Sequence, residues 1–271
     1  MLQRWSHHVG YDVVMVLLEG IGMAGVDPFG KLGFEDFKCL AQDESLSRFE
    51  RIGFPDNYRQ GHEENIFTDI CAKLDLLEAE NKIVLDIGPG CSDLPLMLIE
   101  QCRGKGHQLH LIDNAEMLAL LPDAQFIRKT AALFPNCAEV IESLRGKVDV
   151  IICYSVLHYI FVDTAFFRFL DTSLTLLAPG GQMLIGDIPN VSKRKRFFAS
   201  ETGVKFHQKF MNTKEGPSVG FNKIEHDLID DAVVFSLLQR ARAEGFDAYV
   251  LPQAVNLPMA NRREDILITR P

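Results

Sequence analysis

The segment Lys82–Asp93, with the sequence KIVLDIGPGCSD, decides which fold the rest of the chain follows. Its first half is a short apolar run that ends in Asp86, typical of a buried strand, and its second half places Gly88 and Gly90 ahead of a helix start near Ser92. Glycine lets the backbone of such a turn contact a ligand because no Cβ intervenes. The first turn of the following helix offers unpaired N–H groups to a polar or anionic group. The segment therefore predicts a ligand-binding turn between a parallel strand and a helix.

Two classes of cofactor-binding protein use a turn of this kind. Dinucleotide enzymes carry G-x-G-x-x-G, but here Asp93 occupies the third glycine position, where its carboxylate would face a pyrophosphate of the same charge. The segment resembles instead the first motif of class I S-adenosylmethionine-dependent methyltransferases, in which an acidic residue ends the first strand and G-x-G follows. The resemblance implies that Asp86, Gly88, Gly90 and Ser92 bind the methionine end of the cofactor, which carries an ammonium and a sulfonium. A glycine turn in another α/β domain is the alternative.

The composition narrows the class of protein. The chain has 271 residues, 47% of them hydrophobic, which suffices for one large α/β domain with an elaboration or for two small domains. The net charge of −9 disfavours a general nucleic-acid binder, which would present a basic surface. The six cysteines include no C-x-x-C pair, a pattern typical of reduced thiols in a cytoplasmic protein.

The first residues carry no targeting signal that we recognise. Met1–His8 lacks the apolar region of a signal peptide. Val9–Val26 is apolar but is interrupted by Asp12, Glu19 and glycines, which favours a buried or packing helix over a membrane span. We therefore expect no membrane association and a cytoplasmic location.

From Lys82 onward, strands and helices alternate, which predicts an α/β fold with a doubly wound sheet. The predicted strands are 82–87, 108–112, 125–129, 148–153, 182–186, 248–251 and 265–269, and the predicted helices are 62–80, 93–103, 117–121, 137–145, 163–177 and 226–244. The short connection between the last two strands favours an antiparallel pair at the sheet edge. Together with the family resemblance, this implies a mostly parallel seven-stranded sheet with an antiparallel C-terminal strand. We expect this domain over residues 62–271, a helical N-terminal cap over 1–61 and an inserted lid at about 187–225.

The second candidate ligand group follows the second strand. Asp113 lies at the carboxyl end of that strand, where a carboxylate can accept hydrogen bonds from both hydroxyls of a ribose. The family resemblance gives Asp113 this role and places Asn114 and Met117 beside the adenine. It also places Thr130 and Ala131, after the third strand, around the adenine. The alternatives are a helix N-cap for Asp113 and a simple loop residue for Thr130.

The segment Cys153–Tyr159, after the fourth strand, resembles the family motif that lies beneath the transferred methyl group, so the resemblance adds Cys153 and Tyr154 to the cofactor-binding residues. Enzymes that methylate amino groups of nucleic acids carry an Asp/Asn-Pro-Pro-aromatic tetrad at this position, and this chain has no proline there. The Pro-Cys nucleophile of RNA carbon methylators and the paired glutamates of protein arginine methylators are also missing. By elimination, a small-molecule acceptor is expected and a nucleic acid is not.

Methyl transfer mainly requires that donor and acceptor are aligned, and a hydroxyl acceptor also needs a base. His158 is the first candidate for this base because imidazole titrates near neutrality, and Tyr154 and Asp187 are weaker candidates. The alternative for His158 is a structural hydrogen bond at the start of a helix. Asp187 follows the fifth strand, on the edge of the sheet where ligands bind in open α/β folds.

Two further segments have both a functional and a structural interpretation. Lys193–Arg196 is a basic tetrad that would suit a phosphorylated or carboxylated acceptor, or would form a solvated helix face. Phe54–Arg59 would cover the cofactor or contact the acceptor, or would form a packing loop. The pairs His7–His8 and His107/His110 have no third ligand at a suitable spacing, so no metal site is predicted.

The sequence thus predicts an S-adenosylmethionine-dependent methyltransferase that acts on a small molecule, phosphorylated or sugar-like. Two alternatives stay open: a catalytically silent protein that binds S-adenosylmethionine or a partner, and an NAD-dependent oxidoreductase. The sequence does not indicate the oligomeric state.

Overall fold

The computed structural model describes residues 32–223 and 225–271. The predicted helix at Val9–Val26, the pair His7–His8 and most of the predicted cap lie outside the described residues. Among the described helices, none is both long enough and apolar enough to span a bilayer.

A seven-stranded sheet organises the described part of the chain. Its strands are β1 (Ile83–Ile87), β2 (Gln108–Asp113), β3 (Ile127–Ala131), β4 (Val148–Tyr154), β5 (Leu177–Pro189), β6 (Asp247–Pro252) and β7 (Arg263–Thr269). They lie in the order β3-β2-β1-β4-β5-β7-β6, and β7 is antiparallel to both of its neighbours while the pairs from β3 to β5 are parallel. The predicted doubly wound sheet with an antiparallel last strand is confirmed.

Helices cover both faces of the sheet. They are α1 (Phe34–Gln42), α2 (Arg48–Arg51), α3 (Asp56–Arg59), α4 (Glu63–Lys73), α5 (Asp93–Lys105), α6 (Ala115–Ala119), α7 (Ala138–Leu144), α8 (Leu157–Asp163), α9 (Phe166–Leu176), α10 (Val191–Phe198), α11 (Glu201–Phe210) and α12 (Asp231–Ala243), with a short 3-10 helix at Asp75–Glu78. Successive side chains of a strand point to opposite faces of the sheet. In β4, Ile151 contributes to one buried apolar cluster, and Val150 and Ile152 contribute to the other. The central strands are therefore buried on both sides, as a parallel sheet requires.

Several predicted boundaries are wrong because partners distant in sequence set them. Strand β5 extends beyond the predicted 182–186 because Ile188 and Pro189 pair with β7, so Asp187 lies inside the strand rather than after it. Strand β3 ends at Ala131 rather than at Lys129, because Asp113 of β2 pairs with Ala131. The ends of β1, β2 and β6 lie within a residue or so of their predicted positions.

The predicted helix over 163–177 is two helices. Helix α8 ends at Asp163, Thr164 has an extended backbone, and α9 runs from Phe166 to Leu176 before the Pro-Gly-Gly stop signal. The segment predicted as an inserted lid, at about 187–225, contains α10 and α11, which we call the lid helices. Helix α12 begins later than predicted, at Asp231, where the side chain of Asp230 accepts a hydrogen bond from the backbone N–H of Val233.

Candidate functional site

The glycine turn after β1 has the backbone that its sequence implies. Gly88 and Gly90 have φ angles of +73° and +65°, in the left-handed region that favours glycine. A Cβ at Gly88 would lie 2.8 Å from Val156 Cγ2, and a Cβ at Gly90 would lie 2.7 Å from Ile52 Cγ2. Both positions therefore require glycine for two reasons: the positive φ angle and the close approach of a neighbouring segment.

Asp113 joins the end of β2 to this turn. Its Oδ2 accepts a hydrogen bond from the backbone N–H of Gly90 at 3.0 Å, and its Oδ1 accepts one from the N–H of Asn114 at 2.7 Å. Burial raises the pKa of Asp113 to about 6, and the two hydrogen bonds act against that rise. Each carboxylate oxygen still has a lone pair free for a further donor.

Asp86, the last acidic residue of β1, is a second buried carboxyl close to the turn. It is 6% exposed. Burial, and then the negative charge of Asp113, raise the pKa of Asp86 to about 8. With this pKa Asp86 is largely protonated at neutral pH, and a cationic ligand close to Asp86 and the half-buried Asp113 would favour the ionised form of both.

A cavity lies over the glycine turn, at the carboxyl ends of the central strands, which is where ligands bind in open α/β sheets. The predicted cofactor residues in its walls are Gly88, Gly90, Ser92, Asp113, Met117 and Tyr154. The walls also include residues from the N-terminal helices and their connections. Phe54 and Arg59 belong to the segment predicted to cover the cofactor or contact the acceptor, whereas Phe34, Phe37 and Ile52 were not predicted.

The other predicted cofactor residues, among them the buried Asp86, do not line this cavity. Cys153 is fully buried in one of the apolar clusters. Asn114 caps α6, because its Oδ1 accepts a hydrogen bond from the N–H of Met117 at 2.8 Å. Thr130 and Ala131 are still in β3, and the residues that reach the cavity are the next ones along, Ala132 and Leu133.

His158 lies on α8, beside the cavity but not in its wall. Burial, and then the charge of Arg263, lower its pKa to about 3. Its ring packs on Tyr159, with centroids 3.9 Å apart, and its Nδ1 makes no hydrogen bond to any described residue. An imidazole with this pKa is a weak base at neutral pH, so the geometry gives the predicted base no support.

Asp187 is the centre of a buried polar network behind the cavity. Its Oδ2 accepts hydrogen bonds from Ser155 Oγ at 2.5 Å and from Arg263 Nη1 at 2.8 Å, and Arg59 Nη2 lies 3.5 Å away. Burial acts to raise the pKa of Asp187, but the guanidinium groups of Arg263 and Arg59 outweigh it and the pKa is lowered. Asp187 is therefore ionised and paired.

Tyr154 forms part of the wall between this network and the cavity. Burial, followed by the charges of Asp187 and Asp265, raises its pKa well above the ordinary value. The phenol stays protonated at neutral pH, so Tyr154 can donate a hydrogen bond and is not a base there.

The basic tetrad on α10 is paired with acids. Arg194 Nη2 and Lys195 Nζ each lie 3.5 Å from Glu225 Oε2, and Lys193 Nζ lies 4.0 Å from Glu264 Oε2. Arg196 forms a two-bond contact with Asp231. These side chains hold the lid helices against neighbouring segments, so their charges are largely neutralised.

No group of three or more His, Cys, Asp or Glu side chains suited to a metal ion occurs among residues 32–223 and 225–271. His107 has a structural role. Its Nδ1 accepts a hydrogen bond from the N–H of Lys82 at 3.0 Å, and its Nε2 lies 3.2 Å from the carbonyl oxygen of Leu77.

Comparison with known proteins places this architecture. No protein-family model matches the chain, and no curated protein sequence matches it. Solved structures do match. The N-methyltransferase NodS from Bradyrhizobium japonicum WM9, in complex with S-adenosyl-L-homocysteine, is 14% identical with a TM-score of 0.51, over 88% of this chain and 98% of NodS.

Two other solved structures have similar values. The plantazolicin methyltransferase BpumL, in complex with a monoazolic desmethylPZN analog and S-adenosyl-L-homocysteine, is 14% identical with a TM-score of 0.53, over 88% of this chain and 96% of BpumL. Phosphoethanolamine N-methyltransferase 2 from Haemonchus contortus, in complex with S-adenosyl-L-methionine, is 14% identical with a TM-score of 0.50, over 89% of this chain and 61% of the enzyme. The chain has the class I S-adenosylmethionine-dependent methyltransferase fold.

Proposed function

We propose that this protein binds S-adenosylmethionine in the cavity over the glycine turn and transfers its methyl group to a small-molecule acceptor. The observation that carries the proposal is the position of Asp113. Its carboxylate bonds to the backbone of Gly90 and lines a cavity whose other walls are mainly apolar. A ribose between an apolar base and a charged amino-acid tail matches that distribution of polarity.

The residues of the cavity fit the parts of this cofactor. Asp113 would accept hydrogen bonds from the ribose hydroxyls, and Met117 and Leu133 would contact the adenine. The negative charge of Asp113 suits the positively charged tail of the cofactor, and that tail would favour the ionised form of Asp86, which lies outside the cavity wall. NodS and BpumL are solved with S-adenosyl-L-homocysteine, which adds support from proteins of the same fold.

When bound, S-adenosylmethionine supplies a methyl carbon that its sulfonium makes electrophilic. The contribution of the protein is to position the acceptor and to exclude water. The three predicted bases have pKa values unsuited to removing a proton at neutral pH, for the reasons given above. The site therefore favours an acceptor atom with a free lone pair at neutral pH, such as an uncharged amine, or a hydroxyl that is itself acidic.

The finer expectation of a phosphorylated or sugar-like acceptor rested on the basic tetrad Lys193–Arg196. Each of its side chains contacts a carboxylate, which removes the free cations that a phosphate would need. We therefore retain a small-molecule acceptor and do not retain the phosphate as its defining group.

Isothermal titration calorimetry tests the cofactor assignment. S-adenosylmethionine and S-adenosyl-L-homocysteine should bind, and NADH should not. Asp113→Ala should lower the affinity roughly a hundredfold or more, because two charge-assisted hydrogen bonds of about 1.5–3 kcal/mol each are lost. Asp123→Ala is the matched control, since the Asp123 side chain is 93% exposed and pairs only with Lys129. Equal affinities in the two variants would remove Asp113 from the ribose role, and tight binding of NADH would favour the oxidoreductase.

A catalytically silent binding protein is the second candidate, and the absence of a well-tuned base among the predicted residues favours it. An assay for release of S-adenosyl-L-homocysteine with a panel of amines and phenols separates the two. Binding of the cofactor without turnover of any panel member would favour the silent protein.

A further inference from the structure

A second pocket lies between the lid helices and the β6–β7 connection, residues 253–262. We call it the lid pocket, and its volume is about 440 Å³. One side is formed by Phe198, Phe206 and Phe210. Phe206 and Phe210 stack with centroids 5.9 Å apart and are 37% and 49% exposed. Clustered aromatic rings that stay exposed in a concave surface are typical of a site for an apolar or aromatic ligand.

Among the polar groups that line this pocket, the side-chain amide of Gln253 is only 5% exposed. Its Nε2 donates hydrogen bonds to Asp187 Oδ1 and to Asp265 Oδ1, each at 3.2 Å. The two carboxylates fix the orientation of the amide, because a flipped amide would place its oxygen against both negative charges.

The fixed orientation leaves Gln253 Oε1 buried and without a hydrogen bond from any described residue. A buried acceptor in this state is unfavourable, and a ligand with an O–H or N–H group would satisfy it. The pocket therefore combines aromatic walls with one acceptor that needs a donor.

The charges near the pocket restrict the ligand further. The guanidinium of Arg262 lies in the wall, 5.9 Å from the centroid of the Phe198 ring. The nearby carboxylates are already paired, Asp187 with Arg263 and Asp265 with Lys73 at 2.6 Å. An uncharged ligand satisfies these constraints.

The lid pocket and the cofactor cavity are separated by one layer of side chains. Helix α3 contributes Tyr58 to the pocket and Arg59 to the cavity. The Tyr154 ring lines the cavity, and its hydroxyl oxygen lies 3.5 Å from Gln253 Nε2. A donor group on Gln253 Oε1 is thus one side chain away from the cofactor cavity.

We propose that the lid pocket holds the methyl acceptor, an uncharged aromatic molecule whose hydroxyl or amino group donates a hydrogen bond to Gln253 Oε1. The role of this ligand as methyl acceptor rests on the proposed function, whereas its chemical class rests on the pocket alone. Methyl transfer would require the Tyr154 side chain to move out of the dividing layer, but binding would not.

Fluorescence titration with 2-naphthol and 2-methoxynaphthalene tests the ligand class, because the two probes share a ring system and differ in the donor. Wild-type protein should bind 2-naphthol about tenfold or more tightly than the ether, since only 2-naphthol satisfies the buried oxygen. In Gln253→Met the two affinities should become nearly equal. Phe206→Ala should weaken both probes about tenfold through lost ring contact, while Phe235→Ala, an exposed phenylalanine on α12, should not change them.

Three results would overturn the inference: no binding of 2-naphthol, equal binding of the two probes by the wild type, or unchanged binding in Phe206→Ala. If Gln253→Met does not fold, the wild-type ratio and the two phenylalanine variants decide the question. The titrations are repeated with S-adenosyl-L-homocysteine present, which should not displace 2-naphthol. Displacement would place the probe in the cofactor cavity and would also contradict the inference.

The same titrations separate this inference from the proposed function. A protein that binds 2-naphthol through Gln253 but does not bind S-adenosyl-L-homocysteine retains the pocket and loses the methyltransferase assignment. A protein that binds S-adenosyl-L-homocysteine but neither naphthalene loses the pocket and retains the cofactor site.

Discussion

Gly90 shows how one residue without a side chain keeps the cofactor cavity open. Gly90→Ala would combine strain at a φ of +65° with a contact of 2.7 Å to Ile52 Cγ2. We expect the affinity for S-adenosyl-L-homocysteine, measured by calorimetry, to fall about tenfold or more, because Ile52 or the turn must shift.

Gly104→Ala on helix α5 is the matched control for this substitution. No atom lies within 4 Å of a Cβ at Gly104, so we expect unchanged affinity. The helix should gain up to about 1 kcal/mol of stability from the better helix former. Unchanged affinity in Gly90→Ala would show that the turn does not approach the ligand.

The two buried acids, Asp86 and Asp113, make stability depend on pH at the same site. Their pKa values in the folded protein, about 8 and about 6, lie above the ordinary value of 3.8. The folded protein therefore binds more protons than the unfolded chain between about pH 4 and pH 8, and these groups lower stability as pH rises through that window.

The substitution Asp86→Asn tests whether stability decreases as the pH rises through this window. We expect the free energy of unfolding in urea to fall less steeply between pH 6 and pH 8 in the variant than in the wild type, by at most about 1.4 kcal/mol per pH unit. Parallel pH profiles for variant and wild type would contradict the raised pKa of Asp86.

At the scale of elements, Arg59 attaches the N-terminal helices to the sheet. From α3 it contacts Ser155 and Asp187, which follow β4 and lie in β5, and its guanidinium stacks 4.2 Å from the ring centroid of Phe54. Its Nη1 also lies 4.0 Å from Glu63 Oε1 in the next helix. One buried cation therefore contacts three separate segments of the chain and holds them together.

Arg59→Ala should lower the free energy of unfolding by about 3–5 kcal/mol, because buried carboxylates lose a partner. Arg59→Lys should recover little of this free energy of unfolding, since an ammonium group cannot reproduce the planar arrangement of donors of a guanidinium. Arg48→Ala is the control: its side chain is 55% exposed and pairs with Asp93 at the surface, where such a pair contributes at most about 1 kcal/mol. If urea denaturation gave the same decrease in the free energy of unfolding for Arg59→Ala and Arg48→Ala, the anchoring role of Arg59 would be contradicted.

At the scale of the whole molecule, ligand binding should stabilise the fold, because the cofactor cavity is built from several segments spread over residues 34–163. S-adenosyl-L-homocysteine at a hundred times its Kd should add about 2.7 kcal/mol of stability. For a protein of this size, that corresponds to a rise in Tm of roughly 5–10 °C by differential scanning calorimetry. NADH, and the cofactor with Asp113→Ala, should produce no shift. A shift of equal size in Asp113→Ala would place the ligand elsewhere.

Local pattern was sufficient for the sheet and for the centre of the site. Short, nearly continuous apolar runs that alternate with helices indicate a doubly wound sheet, because each central strand of such a sheet must bury both faces. The turn at Gly88 and Gly90 and the acid at Asp113 follow from backbone chemistry within a few residues. These features were therefore readable in the amino-acid sequence.

The strand ends, the walls of the cavity and the pKa values of buried groups depend on contacts between segments that are distant in sequence. The end of β3 depends on its pairing with β2, and this moved the wall of the cavity from Thr130 and Ala131 to Ala132 and Leu133. The pKa of His158 follows from burial beneath segments far away in sequence, including that of Arg263. A pairing register, a degree of burial and a buried charge network exist only when segments meet, so no local pattern encodes them. The same reason explains why the acceptor oxygen of Gln253 becomes visible only in the folded chain.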